Sequence, residues 1–127
     1  MSEAEERITD AELEVMGALW RGEGPMTLSQ VKEAMARARG WNGDTTKTLL
    51  RRLCEKQAVS AEKREVFYYR PLLTREEYRD WSTQELIERV YQGSALDLVA
   101  GLVRREQLTA SDLEELRAIV AGEEGHG

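Results

Sequence analysis

The 127-residue sequence holds a single cysteine, Cys54, and a single histidine, His126. A lone thiol closes no internal disulfide and supplies no multi-thiolate zinc site, so neither redox nor metal staples are expected to hold the fold. The one imidazole lies in the closing GEEGHG stretch, which leaves any folded part without the commonest general base and metal ligand. No set of base, nucleophile and metal ligands can be assembled from what remains, so the chain reads as a non-enzyme that uses no cofactor and no metal. Long apolar runs are missing too. Nothing approaches the ~20 residues needed to cross a bilayer. The opening MSEAEER is acidic where a signal peptide is basic and then apolar. These absences lead to the expectation of a cytoplasmic protein with no membrane partner.

What is present is 41% hydrophobic content, enough for one ordinary core and an accessory element but not for two full-sized domains. The formal net charge of -6 is unevenly spread. From residue 37 to 70 there are nine Lys and Arg against four Asp and Glu; from 73 to 127 there are six against twelve. An acidic chain with a basic middle suits an anionic partner for the middle and another role for the C-terminal third.

Helix signals open the chain. Thr9 with Glu12, and Thr27 with Gln30, have the spacing of capping boxes. The first helix should bury Leu13, Met16 and Trp20, and RGEGP at 21–25 should stop it. The second carries Leu28, Val31 and Met35 with Ala34 and Ala38, small residues that imply a close neighbour, and ends at Gly40. Asn42 then caps a third helix whose Thr46, Leu49, Leu50 and Leu53 recur at the period of one buried face. Lys47, Arg51, Arg52 and Lys56 crowd the same segment. At about 100° per residue, Asp44, Lys47, Thr48 and Arg51 fall opposite the leucines, with Thr45 and Arg52 flanking.

AVSAEKREVFYYRP, residues 58–71, is rich in β-branched and aromatic residues and broken only by charges near 63–65, the pattern of a hairpin with a basic tip. Boxes at Thr74–Glu77, Ser94–Asp97 and Thr109–Asp112 open three further helices, separated by Gly93 and by EQL near 106. Three helices followed by a hairpin is the order of a winged helix-turn-helix, in which the third helix enters the major groove and the wing lies along the backbone. The fold class expected is therefore mainly α, a winged helix-turn-helix with a C-terminal helical dimerisation region. A cationic helix face most often only solvates a helix. Here it coincides with a basic wing in an otherwise acidic chain, and that favours nucleic acid. The DNA-binding residues are then Thr45, Lys47, Thr48, Arg51 and Arg52 on the third helix and Lys63 and Arg64 on the wing. Apolar stripes on the last three helices (Trp81, Leu86, Val90; Leu98, Leu102; Leu113, Leu116, Val120) are more than three short helices can bury alone, and point to a homodimer.

The segments ITDAELEVMGALW, WNGDTTKTLLRRL, VFYYRPLLTREEY and QLTASDLEELRAIV resemble, in order and spacing, the penicillinase-repressor (BlaI/MecI/CopY) family of bacterial transcriptional regulators, from about Ile8 to Val120. The resemblance implies a homodimer with two winged-helix heads on an inverted-repeat operator and a C-terminal helical region that dimerises. Thr45, Lys47, Thr48 and Arg51 match the family's recognition-helix contacts, Trp41 the aromatic residue before that helix, and Arg64 and Tyr69 the wing. Asp44 stands where a lysine or small polar residue is common, Gln57 replaces a usual glycine, and the wing turn lacks its glycine. Some members are inactivated when a signalling protease, a further partner, leads to cleavage at an Asn-Phe pair; the aligned positions here are Gly101 and Leu102. Copper-responsive members carry paired C-terminal cysteines, absent from this sequence.

The domain organisation expected is a DNA-binding head over 1–73, a helical dimerisation region over 74–120 and a disordered tail over 121–127. Cys54 reads as packing rather than a redox sensor, and Tyr78, Trp81 and Tyr91 as core or dimer contacts. The carboxylates of EEYRD and DLEEL offset helix dipoles in first turns and form no hydrolase pair. Two functions remain open: an operator-binding repressor released by an inducing signal, and a winged-helix interaction dimer that no longer binds DNA.

Overall fold

The computed structural model describes residues 8–123. Its elements are α1 (Asp10–Arg21), β1 (Met26–Thr27), α2 (Leu28–Arg39), α3 (Gly43–Glu55), β2 (Val59–Lys63), β3 (Phe67–Pro71), α4 (Arg75–Val90), α5 (Ala95–Arg104) and α6 (Ala110–Ala121). The fold is mainly α with a winged helix-turn-helix head. Each start follows its capping chemistry. Thr9 Oγ1 accepts from Glu12 N–H while the Glu12 carboxylate accepts from Thr9 N–H, and Thr27 and Gln30 repeat the exchange. The boxes at Thr74–Glu77 and Thr109–Asp112 are reciprocal, whereas Ser94 accepts from Asp97 N–H while its own N–H donates to Tyr91 O.

The chain divides into two units between Ser82 and Thr83, inside α4 and beyond the 73/74 boundary set from sequence. In the first, the core gathers Val15, Met16 and Leu19 of α1, Val31 and Met35 of α2, and Leu49, Leu50 and Leu53 of α3, closed by Ala58, Val59 and Leu73. The buried stripe of α1 is wider than the sequence reading, because Val15, Ala18 and Leu19 join Met16 while Leu13 and Trp20 are only partly covered. Ala38, expected against a neighbour, faces solvent. The start of α4 belongs to this unit: Tyr78 lies 6.1 Å from Trp20 and 5.9 Å from Trp81, ring centroid to centroid. Trp20 Nε1 donates to Leu73 O at 2.9 Å and ties α1 to the end of the wing.

The wing strands pair antiparallel from Val59↔Pro71 to Lys63↔Phe67. A third strand escaped the sequence reading: β1 pairs with β3 through Met26↔Tyr69 and Thr27↔Tyr68, giving the order β1-β3-β2. Two residues are too few to show alternation, so only the tertiary partner reveals it.

In the second unit Ile87 is the one buried hydrophobic residue among those described. α6 runs through Ala121 and is capped by Gly122 in the left-handed region at φ 75°, so the helix extends past the expected end at 120. Residues 124–127 of the expected tail, with His126, lie outside the described residues. Among the described residues no helix is long and apolar enough to cross a membrane.

Candidate nucleic-acid interface

The expected inner face of α3 is fully realised: Thr46, Leu49, Leu50 and Leu53 are buried, which fixes the rotation of the helix. Asn42 Oδ1 accepts from Thr45 N–H at 2.9 Å and sets where the helix begins. Asp44 sits exposed in the first turn, where a carboxylate offsets the helix dipole. With the leucines inward, Thr45, Lys47, Arg51 and Arg52 are exposed and Thr48 is half-buried. Lys47, Thr48, Arg51 and Cys54 form one wall of a cleft of about 390 Å³, and Ala61, Phe67 and Tyr69 of the wing form the other. Thr45 and Arg52 do not line this cleft.

Arg51 approaches Glu55 at only 3.7 Å, with both side chains 63% exposed, an arrangement that leaves the guanidinium available to a stronger anion. At the wing tip, Arg64 donates to the Glu62 carboxylate at 2.7 Å and lies 5.3 Å from the Tyr68 ring centroid, while Lys63 Nζ lies 5.1 Å from that of Phe67. The hydrogen bond from Arg64, reinforced by its charge, holds the Glu62 carboxyl below the usual carboxylate range. Both wing cations are thus steered along their own hairpin rather than left loose.

Lys56, grouped by sequence with the cations of α3, has a different role. Its ammonium pairs with Glu12 at 2.5 Å, and Glu12 is 1% exposed. The charge is committed to the interior, where it neutralises the carboxylate that also caps α1. Burial, with the Glu55 charge second, pushes the Cys54 thiol up, so it stays protonated and behaves as the packing residue expected. Burial likewise raises Tyr69, with the neighbouring Cys54 as the lesser cause.

The two glycine departures have opposite structural meanings. Gln57 adopts φ 64°, the left-handed conformation for which glycine is the cheapest residue. The wing turn at 64–66 contains no residue with positive φ and closes through Arg64 N–H to Val66 O at 3.0 Å, so nothing there demands glycine.

One cation near this surface left no signal in the sequence because it lies on α2. The stem of Lys32 crosses Gly43 so closely that a Cβ at position 43 would meet Lys32 Cδ at 2.9 Å.

Of the residues assigned to dimerisation, Leu86, Leu98 and Leu102 are half-buried and Val90, Leu113, Leu116 and Val120 exposed, all in the second unit. Trp81 stands apart in the first unit against Tyr78, its buried Nε1 without an acceptor among the described residues. Gly101 and Leu102 lie inside α5, both half-buried, so the bond between them is regular helix.

Residues 8–122 match the family model described as the penicillinase repressor. The penicillinase repressor of Bacillus licheniformis is 30% identical over 115 residues, spanning 90% of this chain and 89% of that protein. The methicillin resistance regulatory protein MecI of Mammaliicoccus sciuri is 30% identical over 114 residues, spanning 89% and 92%. The solution structure of the DNA-binding domain of the repressor BlaI superposes with a TM-score of 0.54 at 32% identity, covering 61% of this chain and 94% of that one. The monomeric form of Bacillus licheniformis BlaI in complex with the blaP half-operator gives 0.50 at 33% identity, covering 57% and 88%. The family match runs from ahead of α1 to the glycine that caps α6, and this chain belongs to the penicillinase-repressor family.

Proposed function

We propose that this protein represses transcription by binding an inverted-repeat operator as a homodimer, and that an inducing signal acting on the dimer releases it. The observation that carries this reading is the outward face of α3, where Lys47 and Arg51 stand exposed beside a basic wing in a chain of net charge -6. A helix about 10–12 Å across fits a major groove ~12 Å wide. With the leucine face inward, Lys47 and Arg51 meet guanine edges or phosphates, and Thr45 and Thr48 reach phosphates or base edges. Arg52 flanks the groove, and Lys63 and Arg64 follow the backbone. The BlaI structure solved with a half-operator, 33% identical, supports operator DNA as the partner.

The second unit supports the dimer through unsatisfied apolar surface: Leu96, Val99, Val103, Leu113, Leu116, Ile119 and Val120 are all exposed large hydrophobics. Such a density of uncovered side chains is characteristic of an interface. Two coupled heads make the second contact intramolecular, so separating or reorienting them releases DNA without any change in α3.

The test is a mobility shift with the duplex upstream of the protein's own gene. Lys47→Ala and Arg51→Ala should weaken binding by about 1–3 kcal/mol for a base contact, or flatten the salt dependence by about one for a phosphate contact. Their melting temperatures should stay with the parent, since exposed substitutions change stability by about 0.5 kcal/mol or less. Parental affinity in both variants would remove α3 from the interface.

A further inference from the structure

We infer that Lys32, on α2, is a DNA-backbone contact that works with Lys63 across the cleft between α2 and the wing; the inference rests on the operator-binding reading above. This cleft, of about 650 Å³, has Ser29 and Lys32 on the α2 side and Lys63, Glu65 and Phe67 on the wing side. Phe67 also lines the cleft beside α3, so the depression that holds Lys47 and Arg51 and the one that holds Lys32 and Lys63 meet at one side chain.

Of the three cations on α2, Lys32 alone lines this cleft, and like Arg39 it makes no ion pair with a described carboxylate. Arg37 is engaged by Glu33 at 2.6 Å, whereas no carboxylate of the described residues forms an ion pair with Lys32. Its stem is held against Gly43, the first residue of α3, with Cε 3.1 Å and Nζ 3.4 Å from where a Cβ would stand. A lysine whose stem is already packed gives up less rotamer freedom when its ammonium meets an anion. Glycine at 43 is what permits the packing. The ammonium is thereby carried to the beginning of α3, where a contact to one strand sets the angle at which the helix enters the groove. Glu65 on the same cleft opposes a phosphate there, and its removal should strengthen the grip.

The experiment is fluorescence anisotropy of the full-length protein on two labelled duplexes, one from upstream of its own gene and one unrelated, over a range of salt. Lys32→Met keeps a stem over Gly43 and removes the charge. It should flatten the log-log salt slope by about one and weaken both duplexes about tenfold at ~0.1 M salt, with the preference between them unchanged. Lys32→Arg should restore the slope, and Glu65→Gln should tighten both duplexes about threefold. Parental slope and affinity for Lys32→Met, with Arg51→Ala still weakened, would overturn this inference and leave the operator reading standing. A changed preference between duplexes would make Lys32 a base reader and overturn the backbone role, and a lowered melting temperature would reassign it to folding. If the parent protein shows no preference for its own duplex and Arg51→Ala alters nothing, the operator reading itself falls.

Discussion

The two units of this chain solve burial in different ways. The head closes a core around Met16, Met35, Leu50 and Leu53, all at or below 1% exposure, from three helices and a three-stranded sheet. In the second unit α5 and α6 contain no buried residue, and Leu96 and Val120 are 75% and 87% exposed. Both units have well-capped helices, so local helix signals do not distinguish them. The difference lies in the partner: the head brings its own, and the second unit leaves its apolar faces for another surface. In the dimer proposed above, this division would keep the reading head intact while the coupling between heads stays adjustable.

That contrast can be broken most sharply at Leu116, which is 38% exposed on α6. Leu116→Lys should convert the proposed dimer to monomer in light scattering and lower operator affinity by roughly 10² to 10⁴, while the head keeps its own thermal transition. A variant that stayed dimeric would move the interface away from α6. The next effect in size concerns the head alone. Lys56→Ala leaves the buried Glu12 carboxylate without its cation and should cost about 3 kcal/mol in urea unfolding. The loss should not depend on protein concentration, whereas changes on α5 and α6 should act through a concentration-dependent equilibrium. The smallest effect has the opposite sign. Gln57→Gly relieves a left-handed non-glycine residue and should raise head stability by about 1 kcal/mol, read as a higher melting temperature with operator binding unchanged. Equal stabilisation by Glu65→Gly, in a turn with no positive φ, would show that the left-handed geometry is not the cause.

Much of this molecule is written in local patterns. The capping partners of Thr9, Thr27, Asn42, Thr74 and Thr109 lie within three residues, and the leucine face of α3 repeats at the helical period, so sequence determined where helices begin and which side of α3 points outward. The rotation of α3 in turn determined the exposure of Lys47 and Arg51, because a side chain opposite a buried stripe has nowhere else to go. Tertiary structure alone decided the rest. The pairing of β1 with β3 joins residues more than forty positions apart, Lys56 reaches Glu12 across a similar span, and Lys32 meets Gly43 only because α2 and α3 cross there. A cation's sequence neighbours do not say whether its charge will face a carboxylate, a helix or open water. That choice belongs to the packing of elements, since charges interact through space and not along the chain.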